Sequence, residues 1–174
     1  MDTESVAEWV QKVIIRQAEF ADLPAMEWEG EFRHFRNLYA DAYRRTLRHT
    51  ALIWLAELPD AGLIGQLMLQ LTSERQELAD GVERAYLFGF RIRPAYRSQG
   101  LGTRMIWHVE EDLRQRGFTR LTLNVARDNP RAQSLYTRLG FVVVGSEPGI
   151  WSFIDDTGRR RWVEEPAWRM EKRL

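Results

Sequence analysis

The sequence contains no cysteine among its 174 residues, which excludes disulfide bonds, thiolate metal sites and cysteine nucleophiles. It also lacks an excess of either charge, because 25 basic residues balance 25 acidic ones. Nucleic-acid-binding proteins usually carry a net positive charge. The composition therefore predicts that nucleic acid is not a partner of this protein.

Long apolar segments and metal-binding clusters are missing as well. No apolar run approaches the roughly 20 residues that a membrane-spanning helix needs. Residues 1–4 lack the basic start and apolar core of a signal peptide. We therefore expect a cytoplasmic protein that does not bind a membrane. The histidines His34, His49 and His108 are scattered, so no metal site is predicted.

What is present indicates one folded domain covering residues 1–174. Hydrophobic residues make up 44% and charged residues 29% of the chain, which is an ordinary globular composition. Strand-like and helix-like segments alternate, as in an α/β domain. We predict strands near residues 13–15, 51–56, 63–69, 85–92, 121–125, 141–144, 151–154 and 168–170. We predict helices at residues 3–11, 22–49 with a break near Gly30, 100–116 and 130–139, with Asp22 as an N-cap.

The segment with the clearest chemistry joins a predicted strand to a predicted helix. The first turn of a helix offers unpaired N–H groups and the positive end of the helix dipole, and glycines let the backbone approach a phosphate closely. Arg97 and Ser98 precede this turn. A plain strand-to-helix turn is the alternative interpretation. The N–H groups available to an anion belong to Gln99, Gly100, Leu101, Gly102 and Thr103.

Two segments resemble motifs of the GNAT acetyltransferase superfamily. Residues 92–102, Ile-Arg-Pro-Ala-Tyr-Arg-Ser-Gln-Gly-Leu-Gly, resemble motif A, whose core is Arg/Gln-x-x-Gly-x-Gly/Ala. Residues 124–141 resemble motif B. The motifs occur in order at the usual separation, so the resemblance covers nearly the whole chain. The markers of motif B here are Asn129, Ala132, Tyr136 and the ending Leu139-Gly140-Phe141.

The resemblance implies an α/β fold of the α+β type. Its central sheet would be mixed, mostly antiparallel and of six or seven strands, with about four flanking helices and a splay between strands four and five. The implied activity is that of an N-acetyltransferase, which moves an acetyl group from acetyl-CoA to a primary amine of a small molecule or protein. The sequence does not separate acetyl-CoA from other acyl donors. A non-catalytic acyl-CoA-binding sensor or interaction module is the alternative function.

The resemblance also implies roles for individual residues. The thioester arm of acetyl-CoA would pair with Phe90, Arg91 and Ile92 as an added strand. The N–H of Ile92 would polarise the thioester carbonyl. Asn129 and Ala132 of motif B would bind the cofactor, with Asn129 contacting the pantetheine arm. Residues 97–103, from Arg97 to Thr103, would bind the phosphates.

Tyr136 matches the general acid of the family, which would protonate the departing CoA thiolate. Packing in the core is the alternative role for Ile92 and Tyr136. For Asn129 the alternative is to cap the helix that begins at Pro130.

The general base is not identifiable from the sequence. Positions at which branches of the family carry a glutamate hold Tyr86 and Asn124, and neither can act as a carboxylate base. The amine proton could leave through water, Glu83 or Glu57, and we assign no base.

The acceptor side of the site is also open. Acidic residues in the segment 27–32 could attract a cationic amine or form a solvated face. The tail is predicted to form a hairpin that contains Trp151, Trp162 and Trp168. These tryptophans could wall the acceptor pocket, form a homodimer contact or pack in the core.

Overall fold

The computed structural model describes residues 6–174 and contains nine strands. Seven of them form one sheet in the order β1-β2-β3-β4-β5-β9-β6, and β7 pairs with β8 in a separate hairpin. All neighbours are antiparallel except β4 and β5. The predicted mixed, mostly antiparallel sheet is confirmed. The strands are β1 (Ile14–Gln17), β2 (Ala51–Leu58), β3 (Gly62–Gln70), β4 (Arg84–Ile92), β5 (Arg120–Ala126), β6 (Val142–Glu147), β7 (Ile150–Ile154), β8 (Arg160–Glu164) and β9 (Ala167–Arg173).

Three α-helices and four 3₁₀ segments accompany these strands in the described part of the chain. The helices predicted at residues 100–116 and 130–139 are present with slightly shorter bounds. The predicted helix at residues 3–11 falls partly outside the described residues, and its remainder is a 3₁₀ segment. The α-helices are α1 (Arg36–Leu47), α2 (Leu101–Gln115) and α3 (Pro130–Arg138), and the 3₁₀ segments are Glu8–Lys12, Phe20–Glu27, Arg33–Phe35 and Pro94–Tyr96.

The helical region predicted at residues 22–49 is broken near Gly30 as expected, but the part before the break is the 3₁₀ segment Phe20–Glu27 and α1 begins only at Arg36. The backbone φ angle is positive at Trp28 (48°), Glu29 (56°) and Gly30 (100°), and a right-handed helix cannot continue through such residues. Asp22 is not the predicted N-cap, because it lies inside the 3₁₀ segment Phe20–Glu27. Glu19 occupies that position, and the Asp22 carboxylate accepts a hydrogen bond from the Glu19 N–H at 2.7 Å.

The sheet carries one hydrophobic layer on each face. On one face α2 packs against the strands through Met105, Ile106 and Val109, all fully buried, as its helical periodicity predicts. On the other face α1 contributes Tyr39 and Ala42 to a smaller cluster.

The splay between β4 and β5 is confirmed. Their parallel pairing stops at Leu87 and Leu123, although each strand continues beyond that point. A bulge in β4 follows at once, because Phe88 pairs with Met68 of β3 and the next pair is Arg91 with Gln66. Gly89 lies in this bulge with φ +61°, and a Cβ there would lie 2.4 Å from the Met68 methyl group. The positive φ favours glycine at this turn of the strand.

The tail differs from its prediction in one respect. Trp151 and Trp162 lie in the β7–β8 hairpin, but Trp168 lies in β9. Its grouping with the hairpin is therefore wrong, because β9 runs between β5 and β6 and pairs with both. Trp162 is 70% exposed. The predicted homodimer contact at this hairpin stays a prediction.

The connection between β8 and β9 is held against the start of β7. The Glu165 N–H donates to the Gly149 carbonyl oxygen at 2.9 Å. A Cβ on Gly149 would lie 1.8 Å from the Glu165 carbonyl oxygen, and Gly149 has φ +67°. This close backbone approach fixes the position of Glu165 on the molecule.

We predict that Gly149→Ala lowers the free energy of unfolding by more than 2 kcal/mol, roughly the sum of left-handed strain and a backbone clash. Gly158→Ala is the matched control, because Gly158 has φ +85° but no atom within 4 Å of its Cβ position. It should cost only the strain, about 1 kcal/mol. Equal losses in urea unfolding would contradict this account.

Candidate active site

Two cavities meet where β4 and β5 diverge. The first, of about 960 Å³, lies between β4, the start of α2 and α3, and we call it the helix-side cavity. The second, of about 630 Å³, lies between α1, β4 and the start of β7, and we call it the hairpin-side cavity. The gap in the sheet therefore connects two binding spaces. The residues that line both are Phe88, Gly89, Arg91, Asn124, Ala126 and Glu165.

The start of α2 forms one wall of the helix-side cavity. The chain turns into the helix through Ser98 (φ +58°) and Gly100 (φ +99°), which leaves the first-turn N–H groups without helical acceptors. A Cβ on Gly102 would lie 3.4 to 3.7 Å from Leu135, Ile92 and Phe90. The absence of a side chain at Gly102 thus keeps this corner of the cavity open for a ligand.

Positive charge surrounds the same wall. The guanidinium groups of Arg97, Arg131 and Arg138 belong to the lining, and Arg131 donates a hydrogen bond to the Ser98 hydroxyl. Glu165 is the one acidic residue lining this cavity in the described part of the chain. Helix N–H groups and arginines together suit the phosphates of a nucleotide-containing cofactor.

Most of the predicted cofactor residues line the helix-side cavity, as does Tyr136. Gln99 and Leu101 do not. The Gln99 side chain accepts a hydrogen bond from the Trp9 indole at 3.0 Å, and Leu101 is 1% exposed in the core, so each can offer only its backbone. Those that line the cavity are Phe90, Arg91, Ile92, Arg97, Ser98, Gly100, Gly102, Thr103, Asn129 and Ala132.

The edge of β4 offers a backbone donor to the gap. The Arg93 N–H donates to the Ile64 carbonyl oxygen of β3 at 2.8 Å. Because successive N–H groups of a strand point to opposite edges, the Ile92 N–H faces the gap. The Ile92 carbonyl oxygen faces the same way and accepts a hydrogen bond from Arg97 Nε at 2.7 Å. An extended ligand could pair with this edge.

Tyr136 lies where the helix-side cavity reaches the gap. Its ring is 7% exposed and packs edge-on against Phe141 at 5.7 Å. Burial raises the pKa of the Tyr136 phenol above its ordinary value, and Tyr86 raises it further. Within residues 6–174 its hydroxyl has no hydrogen-bond partner. The phenol is therefore a protonated donor that is free to serve a ligand.

Asn129 caps α3, as the alternative interpretation held. Its side-chain oxygen accepts a hydrogen bond from the Ala132 N–H at 3.2 Å. Asn129 also lines the helix-side cavity, and its amide N–H₂ is not used by the cap. Capping and a ligand contact are compatible in this geometry.

The hairpin-side cavity has aromatic walls. Tyr86 and Phe88 of β4 stack at 5.8 Å, opposite Phe35, Tyr39 and Trp151. Burial raises the pKa of Tyr86 to about 12, so its phenol is neutral at physiological pH. Of the three tryptophans of the tail, only Trp151 walls this cavity.

The acidic groups near the hairpin-side cavity are mostly paired. Asp41 pairs with Arg45 at 3.2 Å, and Glu147 pairs with Arg75 at 2.7 Å and Arg169 at 2.9 Å. These pairs leave little negative charge for a cationic ligand.

The acidic segment 27–32 does not place negative charge in the hairpin-side cavity either. Glu27 pairs with Arg36 at 2.8 Å, and Glu29 pairs with Arg93 at 2.9 Å. Phe32 is the residue of this segment that lines a cavity, and it lines the helix-side one. The exposed Glu29 fits the solvated-face interpretation, whereas Glu27 is buried in its ion pair with Arg36.

Glu165 is a residue of the gap that the sequence did not indicate. Its carboxylate has no ion pair or hydrogen bond with any described residue, and it lines both cavities. Glu57 instead pairs with Arg16 at 2.9 Å, and neither Glu57 nor Glu83 lines either cavity. Contacts distant in the sequence place Glu165 at the gap, with Gly149 bonded to its own backbone and Arg127 to that of Pro166, and no local pattern in the sequence indicates them.

Asn124 is the other polar residue of the gap. Its side-chain N–H₂ donates to the Tyr86 hydroxyl at 3.4 Å, and its side-chain oxygen is buried without a partner. A buried unpaired acceptor is costly, so a ligand that donates a hydrogen bond here would be stabilised.

The described residues 6–174 contain no group of three or more potential metal ligands. No helix among them has the length and apolar character needed to cross a membrane.

We predict that Gly102→Val weakens CoA binding at least tenfold, because the valine methyl groups would extend into the cavity beside the α2 N–H groups. Gly102→Ala is the matched control. Its Cβ would lie in ordinary contact with Leu135 and Ile92, so affinity should change less than threefold. Calorimetric titration with CoA measures this, and thermal unfolding checks the fold. Normal affinity in a folded Gly102→Val protein would refute the assignment.

Comparisons with known proteins agree with this architecture. Residues 15–141 match the family model described as the acetyltransferase (GNAT) family. Sixty residues are 38% identical to the [ribosomal protein bS18]-alanine N-acetyltransferase of Escherichia coli, and the match covers 34% of this chain and 40% of that relative. The chain thus matches less than half the length of that curated relative.

Solved structures match over a larger part of the fold. The ribosomal-protein-S18-alanine N-acetyltransferase of Escherichia coli has a TM-score of 0.68 at 23% identity, covering 93% of this chain and 94% of its own. The spermidine/spermine N-acetyltransferase SpeG of Vibrio cholerae has a TM-score of 0.69 at 20% identity, covering 94% of each chain. These similarities establish the fold. Because the family model covers well over half of the sequence, the chain belongs to the acetyltransferase (GNAT) family.

Proposed function

We propose that this protein is an acetyl-CoA-dependent N-acetyltransferase that acts on a primary amine. The observation that carries the proposal is the meeting of two cavities at the gap between β4 and β5. One cavity offers anion-binding groups and the other has aromatic walls, so a cofactor and an acceptor can approach each other from opposite sides. The names of the relatives above also describe amine acetylation.

In this proposal the first turn of α2, Arg97 and Arg131 bind the phosphates of CoA. The bound cofactor supplies an activated acetyl group as a thioester. The Ile92 N–H at the open edge of β4 donates to the thioester carbonyl. A single preorganised donor of this kind contributes about 3 kcal/mol to the stabilisation of developing negative charge.

The reaction forms a bond from the acceptor nitrogen to the acetyl carbon and breaks the carbon–sulfur bond. Tyr136 donates its proton to the departing thiolate. Its hydroxyl suits this role because it is protonated, free of protein partners and exposed to the helix-side cavity. A sensor that only binds acyl-CoA would not need a free buried hydroxyl at this place, which favours the enzyme.

The acceptor must also lose a proton, because an amine of pKa near 10 is an ammonium ion at neutral pH. We propose that Glu165 accepts this proton before the nitrogen attacks, and that the second amine proton, lost as the tetrahedral intermediate collapses, restores the Tyr136 phenol. Its carboxylate is unpaired and lines both cavities, so it lies on the acceptor side of the thioester. Tyr86 and Asn124 then serve as polar walls of the gap. The predicted cytoplasmic location and homodimer are retained as part of this proposal.

We predict that Tyr136→Phe lowers kcat roughly a hundredfold with little change in acetyl-CoA affinity, because only the proton donor is lost. The raised pKa keeps the wild-type phenol protonated, so the rate should not fall through Tyr136 ionisation below about pH 10. Single-turnover thiol release and a pH–rate profile measure both effects. Unchanged transfer by a folded Tyr136→Phe protein would remove Tyr136 from the mechanism.

We predict that Glu165→Gln lowers kcat/KM roughly a hundredfold at pH 7. The loss should shrink above pH 9, because the acceptor then loses its proton to solvent without a protein base. Glu164→Gln is the matched control, since Glu164 is exposed and lines neither cavity. The pH dependence of thiol release separates a base from a structural role. A loss that is the same at every pH would argue against proton transfer to Glu165.

A further inference from the structure

We propose that the acceptor amine also carries a carboxylate, and that Arg91 binds this carboxylate. The acceptor would then be a free amino acid with an apolar, preferably aromatic, side chain. This inference rests on the proposed function and defines the substrate class of the same site. It begins from the side chain of Arg91, whereas the family resemblance concerns only the backbone of this residue.

Arg91 is held in one orientation by its surroundings. Its guanidinium carbon lies 4.5 Å from the ring centroid of Phe32 and 5.1 Å from that of Phe35. One nitrogen donates to the Tyr39 hydroxyl at 3.3 Å. These contacts fix the group before a ligand arrives, so little side-chain entropy is lost on binding.

Arg91 has no acidic partner among the residues that the structure describes. The other arginines lining the hairpin-side cavity do have one, since Arg45 pairs with Asp41 and Arg75 pairs with Glu147. A guanidinium offers five N–H donors, and the Tyr39 contact uses one. A half-buried cation is normally compensated by an anion. No described carboxylate lies within ion-pair distance of Arg91, so the carboxylate of a ligand can take this place.

The polar residues shared by the two cavities match a zwitterion. They are Arg91, Asn124 and Glu165. When the carboxylate of a free amino acid binds the Arg91 guanidinium, the amine of that amino acid lies one carbon away from the bound carboxylate. Asn124 offers an unpaired buried oxygen to the ammonium group, and Glu165 offers an unpaired carboxylate. The neighbouring Ile92 N–H places the thioester carbonyl at the same gap.

The remaining walls suit an apolar side chain. Phe35, Tyr86, Phe88 and Trp151 line the hairpin-side cavity. A polyamine would instead require several unpaired carboxylates along its length. Asp41 and Glu147 are already paired with arginines, which leaves Glu165 alone in that cavity. The charge distribution therefore favours an amino acid over a polyamine.

The test compares phenylalanine, phenylalanine amide and 2-phenylethylamine as acceptors, with thiol release from acetyl-CoA as the readout. Arg91→Met should lower kcat/KM for phenylalanine about 10- to 100-fold, as for loss of a charge-assisted bond. For the other two acceptors it should change kcat/KM less than about threefold. Each acceptor is compared between variant and wild type, so differences in amine basicity cancel.

Two further variants complete the experiment. Arg91→Lys keeps the charge without the planar fork, and we expect an intermediate loss confined to phenylalanine, which also tests the idea if Arg91→Met does not fold. Arg44→Met is the matched control, because Arg44 lies on α1 beside Asp41 but lines neither cavity. It should leave all three acceptors unchanged.

The outcomes distinguish this inference from the proposed function. Transfer to all three acceptors that responds equally to Arg91 replacement would overturn the carboxylate assignment and leave the acetyltransferase proposal intact. Transfer only to phenylalanine amide and 2-phenylethylamine would likewise overturn the carboxylate assignment and leave the acetyltransferase proposal intact. Binding of acetyl-CoA without transfer to any amine would overturn both.

Discussion

The end of β4–β5 pairing at Leu87 and Leu123 is the constraint on which the site depends. Each strand is held by its other neighbour beyond this point: β4 by β3 through Arg91 and Gln66, and β5 by β9 along its full length. Neither strand can move to close the gap without breaking that pairing. Their facing edges keep unpaired backbone groups, which an extended ligand can satisfy.

The gap also separates two electrostatic environments. On the helix side Arg97 and Arg131 accompany free helix N–H groups, and Glu165 is the one carboxylate lining that cavity within residues 6–174. On the hairpin side carboxylates such as Glu147 are neutralised by arginines. An anionic cofactor is therefore favoured on one side, and an acceptor with little net charge on the other. Arg91 and Glu165 are the charged residues present at both.

Local patterns in the sequence predicted those parts of the molecule that local interactions determine. Eight of the nine strands, α2, α3 and the glycine-containing turn up to Thr103 follow from periodicity, glycines and motifs, whereas β8 has no predicted counterpart. Gly30 indicated the break in the helical region 22–49, but no pattern indicated that the part before the break is 3₁₀. Glu165 and the Arg91 side chain escaped notice because contacts across about 16 and 60 residues, with Gly149 and Phe32, place them.

The position of Glu165 links the fold of the tail to the chemistry of the gap. Glu165 is held at the gap where its backbone packs on Gly149, between the end of β6 and the start of β7. The cofactor residues belong to different elements, β4, α2 and α3. In the proposed reaction, changes in the β7–β8 hairpin would therefore move Glu165 and Trp151, and so alter the acceptor, while the first turn of α2 stays in place. The proposed acceptor site depends on the hairpin, whereas the proposed phosphate site depends on α2.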